Sequence, residues 1–191
     1  MAKVVLFHHA QGLTDGVRHL ADAIAREGHT VHTPDLYEGR TFATTDEGVA
    51  HAKETGFGTI AERGRTAVAE LTGPIVYAGI SLGVMSAQEL AQVMPEARGA
   101  ILFSGCFPPE EFGGPWPGGV PAQIHMMDTD PWVLEGDLEA AQTLAASTPG
   151  VELFLYEGDR HLFVDDGTTD HDPQAAALAL ERTLRFLAEL G

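Results

Sequence analysis

The chain has 191 residues, of which 44% are hydrophobic and 20% charged, and its 28 acidic residues outnumber its 11 basic ones, so that the formal net charge is −17. A chain of this length buries about 70% of the surface that its unfolded form exposes, which indicates one globular domain and excludes disorder over most of the chain. Nucleic acid and anionic membrane surfaces are not expected as partners, because binding them requires clustered lysine and arginine, which this chain lacks.

Several features bear on the compartment. The apolar runs are far shorter than the ~20 residues that span a bilayer. Met1-Ala2-Lys3 leads directly into a strand-like segment, without the features of a signal peptide. The single cysteine, Cys106, forms no internal disulfide, as is typical of proteins in a reducing compartment. We therefore expect a cytoplasmic protein without a membrane span, and the sequence indicates no particular oligomeric state.

Short apolar or β-branched runs alternate along the chain with segments of helical periodicity, which is typical of a parallel α/β sheet. The predicted strands are residues 3–9, 30–33, 74–80, 99–104, 122–127 and 151–157. The predicted helices are residues 15–27, a segment carrying Ile60, Ala67, Val68 and Leu71, a segment from Leu82 that ends before Pro95, residues 134–146, and a last helix from Pro173. No insertion between strands is long enough for a cap domain. We expect one domain over residues 1–191, with helices on both faces of a mostly parallel sheet.

Local signals define some element ends and leave others open. Thr14 is predicted to cap the first helix and Asp172 the last one. The helix before the third strand contains Gly56, Gly58 and Gly64, so its bounds are not determined by its periodicity. Residues 106–120 contain four prolines and four glycines and are predicted to form a loop.

The strongest functional signal is Gly79-Ile80-Ser81-Leu82-Gly83, a G-x-S-x-G sequence between an apolar strand and a helix. In this context the motif predicts a nucleophile elbow, a strained turn that presents the Ser81 hydroxyl at the carboxyl edge of the sheet. The same turn directs the Leu82 N–H and the positive end of the helix towards a developing oxyanion. The alternative, a serine that only makes a tight turn, is disfavoured by the strand before it and the helix after it.

A catalytic serine of this type needs an acid and a histidine that follow it in that chain order. The predicted histidine is His161, because it follows the strand at 151–157 and because histidine exchanges a proton near neutral pH. The acid is Asp130 or Asp128, which both follow the penultimate predicted strand. Asp130 is preferred, since it stands clear of the strand end and Pro131 stiffens the turn after it. Asp128 remains the alternative.

The loop after the first strand is expected to supply the second oxyanion donor, for which the Ala10 N–H is the candidate, although an ordinary strand-to-helix connection also fits. His8, His9 and His125 lie near predicted strand ends, where they could line a pocket. No metal site is predicted, because adjacent histidines in a strand point to opposite faces. Cys106 is interpreted as a pocket-wall or core residue. The candidate pocket residues are His9, Gln11, Phe107, Trp116 and Trp132.

Taken together, these motifs resemble those of the dienelactone hydrolase family of α/β-hydrolases. The likeness runs through most of the chain, in Gln11-Gly12-Leu13, Thr33-Pro34-Asp35-Leu36-Tyr37, the G-x-S-x-G motif, His125-Met126-Met127-Asp128-Thr129-Asp130 and Tyr156-Glu157-Gly158-Asp159-Arg160-His161-Leu162-Phe163. The resemblance implies an α/β-hydrolase fold, a triad of Ser81, Asp130 and His161, and an oxyanion hole from Ala10 and Leu82. It also favours Asp130 over Asp128.

Two departures from that family concern the substrate. The best-known members use a cysteine nucleophile partnered by a glutamate on the first-strand loop, where this chain has Ser81 and His9. They also place an arginine after the catalytic histidine to hold the substrate carboxylate, where this chain has Asp165. An acid there, together with the net charge, predicts a neutral or cationic substrate rather than dienelactone itself.

The predicted function is therefore hydrolysis of a small ester, lactone or thioester through an acyl-enzyme, without a cofactor or metal. The alternative from another class is a non-catalytic binding or scaffold domain whose triad is idle. A flavodoxin-like nucleotide-binding domain is disfavoured, because Ala10-Gln11-Gly12 offers a single glycine for a phosphate loop.

Overall fold

Six parallel strands form one sheet at the centre of the computed structural model, which describes residues 1–191. The strands are β1 (Lys3–Phe7), β2 (Thr30–His32), β3 (Ile75–Ile80), β4 (Ala97–Phe103), β5 (Ala122–Met127) and β6 (Val151–Tyr156). Their order across the sheet is β2-β1-β3-β4-β5-β6, and every neighbouring pair is parallel. The carboxyl ends of all strands therefore lie at one edge, where the loops that follow them meet.

Helices cover both faces of this sheet. They are α1 (Asp15–Arg26), α2 (Thr45–Thr55), α3 (Phe57–Val68), α4 (Leu82–Val93), α5 (Asp137–Ser147) and α6 (Pro173–Leu190). Buried side chains of α1 and α6 pack on one face, and those of α2 to α5 pack on the other. The predicted α/β class with helices on both faces is confirmed, and the sheet is wholly parallel.

The two cores follow from the two-residue period of the strands. Val5 and Phe7 of β1 face the core with α2 to α5, whereas Val4 and Leu6 face the core with α1 and α6. Every residue of β3 is buried. Central strands covered on both faces are nearly continuous in apolar residues, as expected for a parallel sheet between two helical layers.

The element bounds differ from the predicted ones at three places that affect the site. β1 ends at Phe7, so His8 and His9 belong to the loop. The single helix predicted before β3 is two helices, because Gly56 has φ +90° and ends α2. α5 begins at Asp137 rather than near 134, since Gly136 precedes it with φ +139°.

Other local signals behave as predicted. The Thr14 side chain caps α1 by accepting a hydrogen bond from the Val17 N–H. Asp172 caps α6 through the N–H groups of Gln174 and Ala175. The 106–120 loop is irregular apart from one 3₁₀ turn, Pro109–Phe112. No helix combines the length and the apolar character that crossing a bilayer requires.

Candidate active site

Ser81 occupies a strained turn between β3 and α4. Its backbone has φ +50° and ψ −116°, a conformation that residues with a side chain adopt rarely. Gly79 and Gly83 make the turn sterically feasible: a Cβ added at Gly79 would collide with the Gly83 carbonyl, and one at Gly83 would collide with the Phe7 carbonyl. The structure therefore has the backbone crossing at which only glycine fits on either side of the serine.

A continuous line of hydrogen-bonding atoms leads from Ser81 into the protein. The Ser81 Oγ lies 2.6 Å from His161 Nε2, and His161 Nδ1 lies 2.6 Å from Asp130 Oδ2. Ser81 is partly exposed, His161 is 5% exposed and Asp130 is fully buried. The other oxygen of Asp130 accepts the Trp132 N–H at 2.9 Å. The loops after β3, β5 and β6 thus bring together three residues that are far apart in the chain.

Asp128, the alternative acid, has a different partner. Its Oδ1 accepts the Gly158 N–H at 3.0 Å, and the neighbouring Thr129 donates its hydroxyl hydrogen to the Gly158 carbonyl at 2.7 Å. Asp128 therefore joins the loop after β5 to the loop after β6, and the Asp130 carboxylate lies against the imidazole.

Ser104 is a site residue that the sequence reasoning missed. It follows β4 with φ +55°, is 2% exposed, and donates its hydroxyl hydrogen to the His161 carbonyl at 2.5 Å. Its N–H donates to the His125 carbonyl at 2.8 Å. Ser104 consequently holds the main chain of His161. The available signal was a small polar residue at the end of the strand next to β3.

Two backbone N–H groups beside the Ser81 turn have no acceptor within the protein. The Leu82 N–H begins α4, where an N–H has no intrahelical partner, and the Ala10 N–H donates to no protein atom. The two segments are adjacent, because a Cβ added at Gly83 would lie 2.6 Å from the His8 carbonyl oxygen. Both N–H groups that are predicted to bind the oxyanion thus have no acceptor within the protein, and they belong to neighbouring segments.

The predicted pocket position of His9 is wrong, and so is the suggestion that His8 and His125 line a pocket. All three are fully buried: His9 lies against Asp165, and the His125 ring lies between the rings of Phe103 and Phe154. His8 accepts the Leu36 N–H on Nε2 at 3.0 Å, and burial lowers the pKa of His8 to about 4. Burial likewise lowers the pKa of His125 to about 3.

Asp165 also departs from expectation. It is fully buried, with its Oδ2 2.6 Å from His9 Nε2, so no substrate carboxylate can meet it. Burial alone raises the pKa of Asp165, but hydrogen bonds from His9 and Thr14 outweigh this and lower the pKa below its ordinary value. The preference for an uncharged or cationic substrate therefore no longer rests on Asp165.

The other candidate pocket residues fall into two places. Trp132 is 44% exposed, and its ring centroid lies 5.6 Å from that of His161. Gln11 lies in the loop of Ala10 and donates a long hydrogen bond to Thr45. Trp116 instead lines a cavity of about 750 Å³ between the 106–120 loop and α5. Ser81, His161 and Asp130 are not among the residues that line this cavity.

Phe107 packs edge-on against Phe112, and its backbone is held by the buried Gln88 side chain. Burial raises the pKa of the Cys106 thiol to about 12, which agrees with the interpretation of Cys106 as a core residue. No group of three or more histidine, cysteine, aspartate or glutamate side chains is arranged to hold a metal ion.

Solved structures with the same fold come from several hydrolases. A dienelactone hydrolase-like promiscuous phosphotriesterase from metagenomic libraries has a TM-score of 0.75 at 18% identity, with 100% of this chain and 87% of that chain covered. A dienelactone hydrolase from Anabaena variabilis gives 0.71 at 20% identity, with 98% and 86% covered. Esterase 2 of Thermogutta terrifontis in its apo form gives 0.64 at 24% identity, with 100% and 84% covered.

At these identities the structures establish the fold alone. No curated protein matches the chain. The sequence model of the dienelactone hydrolase family, in contrast, matches residues 1–191, which is the whole chain. The chain belongs to the dienelactone hydrolase family and is a hydrolase with the α/β-hydrolase fold.

Proposed function

We propose that the protein hydrolyses a small carboxylic ester, lactone or thioester through an acyl-enzyme on Ser81. The observation that carries this proposal is the unbroken line from the Ser81 hydroxyl through His161 to Asp130, with 2.6 Å at each step. A His161 beyond hydrogen-bond reach of Ser81 would favour the alternative of an idle triad, and the observed separation supports catalysis instead.

The first half of the reaction forms the acyl-enzyme. Ser81 Oγ attacks the substrate carbonyl carbon while its proton passes to His161 Nε2. Asp130 Oδ2 accepts the Nδ1–H of His161, which leaves Nε2 free to act as the base and stabilises the imidazolium that forms. The Asp130 carboxylate does not take the proton itself. His161 then protonates the leaving oxygen or sulfur as its bond to the carbonyl carbon breaks.

The second half returns the enzyme to its starting state. Water attacks the acyl carbon, His161 accepts a proton from that water, and the bond to Ser81 Oγ breaks as Oγ regains a proton. In both halves the negative charge on the carbonyl oxygen is assigned to the N–H groups of Ala10 and Leu82 and to the N-terminus of α4. This assignment is supported because neither N–H group has an acceptor within the protein.

The substrate is proposed to be small and neutral or cationic. A net charge of −17 repels an anionic acyl donor at long range, and fewer basic than acidic residues are available to hold one. Trp132, half-exposed beside His161, supplies an apolar wall at the site.

The proposal is tested by labelling and by substitution. A fluorophosphonate probe is expected to modify Ser81, and Ser81→Ala is expected to abolish hydrolysis of short p-nitrophenyl esters without loss of fold. Ser86→Ala is the matched control, because Ser86 lies on α4 one turn further on and its buried hydroxyl has no partner. Labelling at another residue, or hydrolysis retained by Ser81→Ala, contradicts the proposal. A panel of neutral, cationic and anionic acyl donors tests the charge preference.

A further inference from the structure

A second histidine–aspartate pair lies directly behind the segment that carries the Ala10 N–H. His9 Nε2 and Asp165 Oδ2 are 2.6 Å apart, and both side chains are fully buried. The Gln11 N–H donates to His9 Nδ1 at 3.2 Å, so the ring proton lies on Nε2 and is donated to Asp165. The His9 ring thereby joins the segment Ala10–Gln11 to the loop after His161.

We propose that His9 and Asp165 are positioning residues that hold the Ala10 N–H in the orientation needed to bind the oxyanion. The inference rests on the proposed acyl transfer at Ser81. It goes beyond that proposal because it assigns a role in catalysis to two residues that touch neither the substrate nor Ser81.

The peptide unit that contains the Ala10 N–H is fixed at its carbonyl end. That carbonyl belongs to His9, and it accepts the Gly12 N–H at 3.0 Å and the His8 Nδ1–H at 2.8 Å. In a trans peptide the N–H points opposite to the C=O, so these two bonds constrain the direction of the Ala10 N–H from the carbonyl side, and the His9 side chain constrains it from the Cα side. The side chain of the same residue, His9, is fixed independently by Asp165.

Asp165 is anchored on three sides. Its Oδ2 accepts the Thr14 hydroxyl hydrogen at 2.6 Å as well as the His9 Nε2–H, and its Oδ1 accepts the Gly167 N–H at 2.7 Å. Gly16 leaves the room for this carboxylate, because a Cβ there would collide with Asp165 Oδ1. The pair therefore connects the oxyanion segment to the start of α1 and to the loop that carries His161.

Stability alone does not account for such a pair. Burying the Asp165 carboxylate beside a neutral imidazole costs desolvation free energy that its hydrogen bonds have to offset, so its presence is better explained by a geometry that it specifies. Here that geometry is the direction of one N–H group. Displacing a catalytic donor by about 1 Å costs as much as about 100-fold in rate.

The test compares Asp165→Asn and His9→Gln with His125→Gln. An asparagine at 165 presents an amide NH₂ where the carboxylate accepts a donor, whereas a glutamine at 9 retains an N–H for Asp165. His125→Gln is the control for losing a fully buried histidine, because His125 lies in β5 rather than in the loop after β1. Folding is checked by circular dichroism and thermal unfolding. Thr14→Val, which removes one donor to Asp165 together with the α1 cap, replaces Asp165→Asn or His9→Gln if either does not fold, and a fall in kcat is expected for it as well.

The expected result is a fall in kcat of about 10- to 100-fold for Asp165→Asn, a smaller fall for His9→Gln, and KM within about threefold of the unmodified protein. Affinity for a trifluoromethyl ketone, whose adduct places an oxyanion at the same site, falls by the same factor as kcat/KM. A folded Asp165→Asn variant with kcat within about threefold of the unmodified protein, or no more impaired than His125→Gln, overturns the inference. Activity that survives Ser81→Ala would instead overturn the proposed function, so the two failures are distinguishable.

Discussion

Two histidine–aspartate pairs lie at the same edge of the sheet with the same 2.6 Å separation, and they differ in what the second ring nitrogen meets. In the pair of His161 and Asp130 that nitrogen faces the hydroxyl of partly exposed Ser81. In the pair of His9 and Asp165 it accepts a backbone N–H in the protein interior. The same two side chains thus make a candidate proton carrier in one place and a structural tie in the other.

A histidine–aspartate pair is therefore an orienting unit, whose chemistry depends on the group that its second ring nitrogen meets and on access from solvent. His161 is open on the Ser81 side, whereas both His9 nitrogens and the Asp165 oxygens are occupied by protein donors and acceptors. We therefore expect proton transfer only at the pair of His161 and Asp130.

Substitution of His161 is expected to cause the greatest loss of activity. His161→Gln removes the base and is expected to lower kcat/KM for p-nitrophenyl acetate by about 10⁴-fold. The control is His19→Gln, because His19 contacts Asp166 at 2.8 Å on the exposed surface. Steady-state kinetics on both variants measure the contrast, and similar losses in the two would contradict the assignment of His161.

Substitution of Asp130, which orients the His161 ring, is expected to have the next greatest effect on activity. Asp130→Asn leaves the volume almost unchanged but favours the wrong imidazole tautomer, so kcat is expected to fall by up to about 10⁴-fold. Asp128→Asn is the matched control in the same loop, since Asp128 accepts the Gly158 N–H instead. A larger loss in Asp128→Asn than in Asp130→Asn would reverse the choice between the two acids.

Buried histidines whose two ring nitrogens are both hydrogen-bonded within the protein also affect the free energy of unfolding. His8 and His125 remain neutral in the folded protein, where burial lowers their pKa values to about 4 and about 3. The unfolded chain binds a proton on each below about pH 6.5, so unfolding is favoured as the pH falls from 7 to 5, by about 2 kcal/mol for each histidine. Urea unfolding at both pH values measures this change.

His125→Phe is the variant that isolates one of the two contributions. The His125 ring lies between the rings of Phe103 and Phe154, at centroid distances of 5.1 and 5.2 Å, so another aromatic ring fits there. This variant is expected to lose about half of the pH dependence. The same pH dependence in His125→Phe as in the unmodified protein would show that His125 is not held in the neutral form.

The smallest expected effect concerns the backbone behind the oxyanion segment. A Cβ added at Gly48 would collide with the Ala10 carbonyl, so Gly48→Ala is expected to displace that segment and lower kcat by about 10-fold. Gly58→Ala is the control, because nothing lies within 4 Å of a Cβ at that helical position. It is expected to leave kcat unchanged and to raise the free energy of unfolding by up to about 1 kcal/mol. Unchanged kcat in Gly48→Ala would argue against a tightly held Ala10 segment.

The sequence predicted those parts of the site that depend on local order along the chain. The turn at Ser81 is encoded by five consecutive residues, and His161 and Asp130 follow strands whose apolar runs are visible in the sequence. Because parallel strands end at one edge, placing residues after strand ends was enough to bring these three together.

What the sequence did not reveal depends on tertiary contacts. Asp165 was compared with a substrate-binding position, and only the fold shows that it is buried against His9. Ser104 gives no local motif, since its role depends on the His161 carbonyl reaching it from another loop. Gly56, Gly58 and Gly64 were visible as helix-weakening residues, but which of them ends a helix depends on a positive φ at Gly56.

Acyl transfer to Ser81 can be tested by trapping the acyl-enzyme intermediate. The protein is mixed with p-nitrophenyl acetate, quenched in acid within the first turnover, digested and analysed by mass spectrometry. We expect one acetyl group on the peptide that contains Ser81, released on further incubation and absent from Ser81→Ala. Turnover without an acetylated Ser81 peptide, or an acetyl group on another residue that forms and decays at the turnover rate, would contradict acyl transfer to Ser81.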